Sequence, residues 1–65
     1  MRVSELKRLL KSYGCYEMAS GKEHDVWFSP ISEAKVRIPR HQSQEVPKGT
    51  LNSILNQTGI KNKLP

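Results

Sequence analysis

Two segments of helical period, each closed by a glycine, bracket this chain and confine the rest of its structure to the residues between them. Val3, Leu6, Leu9, Leu10 and Tyr13 fall three to four residues apart, with Arg2, Lys7, Arg8 and Lys11 on the other faces. That is the pattern of an amphipathic helix with one apolar stripe. Ser4 suits its N-cap, Glu5 its first turn, and Gly14 the left-handed position beyond its last turn. Leu51, Ile54, Leu55 and Thr58 make a second, narrower stripe. Pro47 fits the first turn of that helix, and Gly59 closes it ahead of an apolar Ile60 that can dock back. Both stripes need a common surface to cover, and the stretch 15–46 has to supply it.

That stretch reads as three short strands. Cys15-Tyr16-Glu17-Met18-Ala19 is rich in residues that fit a pleated surface, and Ser20-Gly21-Lys22-Glu23 follows as a turn. In the next strand side chains alternate, so His24, Val26 and Phe28 share one face and Asp25, Trp27 and Ser29 the other. Hydropathy assigns the first set to the core, which leaves His24 at the rim of that face and Trp27 on the opposite one. Ser29-Pro30-Ile31-Ser32-Glu33-Ala34 is a loop. Lys35-Val36-Arg37-Ile38 then alternates with Val36 and Ile38 inward, and Pro39 ends the ladder by removing a donor. Arg40-His41-Gln42-Ser43-Gln44-Glu45-Val46 has no period and reads as a polar linker. The expected class is α+β, in the order α-β-β-β-α, with a three-stranded antiparallel sheet and both helices on one face. Residues 1–60 form a single domain in this reading, and 61–65 a basic tail.

At 65 residues the chain can support one small core and a shallow site. Eleven Lys and Arg against six Asp and Glu give +5, a charge density that favours a polyanion and makes RNA or DNA the first partner to consider. A single cysteine, Cys15, cannot form an internal disulfide, and no Cys/His cluster has zinc spacing, so an intracellular protein without metal or cofactor is expected. The first residues are interspersed with charge, unlike a signal peptide, and no run approaches the length of a membrane span. A cytoplasmic location follows.

The chemistry available is narrow. Imidazole is the one side chain whose ordinary pKa, about 6.5, lets it both take and give a proton near neutrality. RNA can be cut without a metal when a 2′-hydroxyl is deprotonated to attack the adjacent phosphate, the leaving 5′-oxygen is protonated, and cations offset the phosphoryl charge. His24 suits the proton transfer, and Lys22, Arg37 and Arg40 the charge. His41, in the polar linker, reads as solvated, with phosphate contact second. No triad serine and no phosphate-binding loop is present, since Lys48-Gly49-Thr50 lacks the preceding glycine. Cys15 follows a helix C-terminus, where a thiolate is disfavoured, and reads as structural. A basic RNA-binding module without catalysis, or a basic domain that docks on an acidic protein, satisfies the same composition.

Four segments carry a family resemblance: Ser4-Glu5-Leu6-Lys7-Arg8-Leu9-Leu10 ending at Gly14; Gly21-Lys22-Glu23-His24; Arg37-Ile38-Pro39-Arg40-His41; and Gly49-Thr50-Leu51-Asn52-Ser53-Ile54-Leu55-Asn56-Gln57-Thr58-Gly59-Ile60. In this order and spacing the chain resembles the HicA toxins, the RNA-cleaving halves of bacterial toxin-antitoxin pairs. The resemblance implies a fold similar to a double-stranded RNA-binding domain and an mRNA-cleaving activity. It also implies a HicB-type antitoxin as partner in a hetero-oligomer, and a catalytic histidine at His24. The chain departs from the family pattern around that histidine. Lys22 and Glu23 stand where Gly-Ser is common, and Glu23 and Asp25 flank His24 with two carboxylates that bear on its proton chemistry.

Overall fold

The computed structural model describes residues 1–41 and 43–64. Gln42 of the expected linker and Pro65 of the expected tail lie outside the described residues. Helix α1 (Val3–Ser12) is followed by strands β1 (Tyr16–Ser20), β2 (His24–Ser29) and β3 (Ala34–Pro39), then by helix α2 (Lys48–Thr58) and a 3-10 turn over Ile60–Asn62. The strands form one antiparallel sheet in the order β1-β2-β3. Val3, Leu6 and Leu10 of α1 and Ile54 and Leu55 of α2 join Trp27, Val36 and Ile38 in a single cluster, so both helices cover the same face of the sheet. The α-β-β-β-α order and the one-sided packing expected from periodicity are what the chain adopts.

The helix ends follow the glycines. Gly14 has φ of 87° and lets Cys15 donate its N–H to the Leu10 carbonyl at 3.0 Å, while Gly59 has φ of 79°. A Cβ at Gly59 would stand 2.8 Å from Ile31 Cγ2 in the β2–β3 connection, so conformation and close approach both require glycine there. Helix α1 starts earlier than Ser4 suggests. Arg2 occupies the N-cap position and gives its backbone N–H to Glu5 Oε1 at 3.0 Å. The cause is the linker, which runs back along the amino terminus: Val3 N–H donates to Gln44 O and Val46 N–H to Met1 O, both at 2.9 Å. Val46, read as part of a polar linker, is buried in the core, as is Cys15.

Strand β2 faces the other way from its hydropathy. Asp25, Trp27 and Ser29 are buried, with Trp27 only 2% exposed, whereas His24 is exposed and Val26 and Phe28 are half-buried. The register explains the inversion. Ser29 pairs with Ala34 across a loop of residues 30–33, which sets Trp27 opposite Val36 and Asp25 opposite Ile38. Directly opposed residues share a face, so the inward pair Val36 and Ile38 carries Trp27 and Asp25 inward with it. The indole brings more apolar area to the core than any other side chain of the strand. Ser29 Oγ donates to the Thr58 carbonyl at 2.6 Å, and Lys7 Nζ donates to Asp25 Oδ2 at 2.9 Å, while Asp25 Oδ1 and Trp27 Nε1 are buried without a hydrogen-bond partner among the described residues.

Candidate functional site

The turn between β1 and β2 is built by three backbone-directed contacts. Gly21 N–H donates to the His24 carbonyl at 2.9 Å, so the turn closes on the residue that opens β2. A Cβ on Gly21 would stand 2.6 Å from that same carbonyl oxygen, a distance that no side chain tolerates without moving the backbone. From the end of β3, Arg40 N–H donates to Glu23 O at 3.3 Å and Arg40 Nη1 to Gly21 O at 2.6 Å. The guanidinium thus clamps the turn that presents His24.

His24 pairs with Pro39 and projects from the face that the helices leave open. Arg37 sits opposite Val26 on that face, one diagonal step from His24, where side chains are about 7–8 Å apart and long ones meet. Lys22 is exposed in the turn itself. His24, Lys22, Arg37 and Arg40 therefore gather at one end of the sheet. Arg37 lies on the open face, Lys22 and Arg40 lie at its rim, and Arg40 has one N–H already committed to the turn. His41 is exposed beyond them, its carbonyl accepting from Gln44 N–H at 3.1 Å.

Asp25 does not share this space. Next to His24 in sequence, it points to the opposite face and is buried against Lys7, the two side chains being 5% and 12% exposed. The Lys7 ammonium donating to it holds its carboxyl below the usual carboxylate range, against the opposing push of burial. Of the two carboxylates flanking His24 in the chain, only Glu23 is on the exposed side. This pairing was missed at the sequence level because Lys7 reads as a solvated helix cation. The i-to-j coupling of a helix lysine with a strand aspartate has no local signal.

The site is open, not enclosed. A shallow depression of about 410 Å³ lies on α1, lined by Met1, Glu5, Arg8, Leu9 and Ser12, away from His24. An exposed imidazole on a flat basic surface suits a polymer better than a small ligand, which needs a concave pocket. Among the described residues no group of three or more His, Cys, Asp or Glu is arranged to hold a metal ion, and no helix is long and apolar enough to cross a membrane.

The family described as HicA toxin of bacterial toxin-antitoxin matches residues 3–60, which includes every element from α1 to α2. A curated relative from Photorhabdus laumondii subsp. laumondii, named probable mRNA interferase HicA 2, is 38% identical over 61 residues, covering 94% of this chain and 100% of its own length. No solved structure matches. The chain belongs to the HicA toxin family of bacterial toxin-antitoxin systems.

Proposed function

We propose that this HicA-family chain is the toxin of a type II toxin-antitoxin pair, an endoribonuclease that cleaves mRNA in the cytoplasm with His24 as its proton-transfer residue. A HicB-type antitoxin neutralises it in a hetero-oligomer. The observation that carries the reading is the outward face of β2, which puts an exposed imidazole beside Arg37 on a surface large enough for a nucleic acid strand. The name of the Photorhabdus relative supports RNA as the substrate.

In this mechanism His24 takes the proton of a 2′-hydroxyl, and that oxygen attacks the adjacent phosphorus. The P–O5′ bond breaks, and the leaving oxygen is protonated by the imidazolium or by water. A 2′,3′-cyclic phosphate and a 5′-hydroxyl result. Lys22 and Arg37 offset the charge that develops on the phosphoryl oxygens. Arg40 acts mainly on the turn, holding the His24 backbone in place, and its remaining N–H groups add positive charge at the rim.

The purified protein incubated with RNA should give fragments ending in cyclic phosphate, detected by end-specific ligation or mass. Salt-sensitive binding with the RNA left intact would replace the nuclease with a binding module of the same fold.

A further inference from the structure

The sheet sorts its charges by face. Among the strand residues the carboxylates are Glu17 and Asp25, and both lie on the helix-side face, opposite Trp27 and Ile38 respectively. The strand residues of the open face include Lys35, Arg37 and His24 and no acid, with Glu23 bordering that face in the exposed turn. The open face also carries two aromatic rings. Tyr16 pairs with Phe28 across β1 and β2, their centroids 5.5 Å apart and their planes inclined by 43°. Tyr16 is 53% exposed, an unusual position for a ring in a chain this small, whose core needs every large apolar group.

Register turns these residues into rows. Tyr16, Phe28 and Lys35 form one row across the three strands, Ala19, Val26 and Arg37 the next, and His24 with Pro39 the last. Each of the first two rows has its apolar surface on β1 and β2 and its cation on β3. From Phe28 to His24 along β2 is about 13 Å. Aromatic rings on an open sheet face take unpaired bases by stacking, and a cationic rail beside them takes the phosphates; here Tyr16 is exposed and Phe28 half-buried beside it. A duplex has no base face to offer such rings.

We propose that Tyr16 and Phe28 form a base-stacking platform for single-stranded RNA, with the backbone running along Lys35 and Arg37 toward the scissile phosphate at His24. The proposal deepens the nuclease reading and rests on it. It makes the substrate unpaired RNA, and it makes Tyr16 a binding residue at a site distinct from the reacting atoms.

The test uses His24→Ala protein, which holds RNA without cutting it, and a fluorescein-labelled RNA of about 12 nucleotides, alone or annealed to its complement. Anisotropy should show the single strand bound more tightly than the duplex. Tyr16→Leu should weaken single-strand binding about tenfold, the worth of one stacked base, and Tyr16→Phe should restore it. The salt slope should be unchanged by Tyr16→Leu and reduced by Lys35→Gln and Arg37→Gln. Because Tyr16 is half exposed, the leucine variant folds, as circular dichroism will verify. Equal binding by Tyr16→Leu, or equal binding of duplex and single strand, overturns the platform while leaving the nuclease reading in place. Loss of antitoxin binding by Tyr16→Leu with RNA binding intact assigns the face to a protein partner and overturns it too. No RNA binding by the parent and no cleavage removes both proposals.

Discussion

His24 is presented by its neighbours' backbone more than by any side chain that touches its ring. Gly21 is the residue on which this depends, since a methyl group there would meet the His24 carbonyl at 2.6 Å. Gly21→Ala should cost about 1–2 kcal/mol of stability and lower the cleavage rate at least about tenfold, because a small displacement of a reacting group is expensive. Melting temperature and initial cleavage rate measured together check this; a variant that cleaves like the parent would mean the turn does not set the histidine's place. Arg40 and Arg37 should separate in the same assay. Arg40→Gln releases the Gly21 carbonyl and is expected to reduce turnover with RNA affinity little changed, whereas Arg37→Gln is expected to reduce affinity and salt slope. Equal effects of the two on affinity would contradict the division. In the sequence His24 stood out by its chemistry, and Arg40 as a cation near phosphate. The guanidinium's bond to the turn was not legible, because it joins residues 19 apart in the chain.

At the scale of the element, β2 carries the architecture. Its helix-side face anchors α1 through Lys7 and Asp25 and α2 through Ser29 and the Thr58 carbonyl, and its outer face bears the candidate chemistry. The start of the strand at His24, the inward set of β3 and the glycine ends of both helices were legible from period and turn residues, whereas Ser29 and Ala34, read as loop, pair as the last rung of the ladder. The face of β2 was not, because hydropathy ranks Val26 and Phe28 above Asp25 and Ser29, and the partners that compensate those polar groups are distant in sequence. A four-residue loop pairing Ser29 with Ala34 fixes the parity, so loop length combined with the unambiguous β3 pattern held the signal. The Lys7–Asp25 pair has a pH signature. Its native carboxyl lies below the ordinary value, so its contribution is full above the unfolded-chain value of about 3.9 and is lost as pH falls through the lower native one. Asp25→Asn leaves Lys7 without its counter-charge and should cost about 2–4 kcal/mol at neutral pH, with a flatter acid limb than the parent. Urea titrations at pH 7 and below pH 4 measure both; parallel acid limbs would show that the pair is not what acid breaks.

Taken whole, the molecule is a thin layered body, 28 × 23 × 18 Å, in which a net charge of +5 is distributed unevenly. Of the two strand acids, Asp25 is buried under the helices and Glu17 lies exposed on the same face of the sheet, while Lys35 and Arg37 are turned out on the open face. A chain of 65 residues has only about 3–10 kcal/mol of stability to lose, so a surface this basic with an exposed tyrosine is retained at some cost to folding. Imidazole and cationic side chains suffice for the proposed reaction, so cleavage should persist in excess EDTA and fall steeply as salt rises from low ionic strength. Abolition by the chelator, reversed by a divalent ion, would move the chemistry away from His24 acting alone. The most direct measurement is the cleavage rate of His24→Ala against the parent on the same RNA, with both proteins shown to be folded and to bind it. The predicted result is a loss of about 10²- to 10⁴-fold with binding retained, the usual worth of a general acid–base group. A variant that cleaves at the parent's rate would contradict the account at its centre.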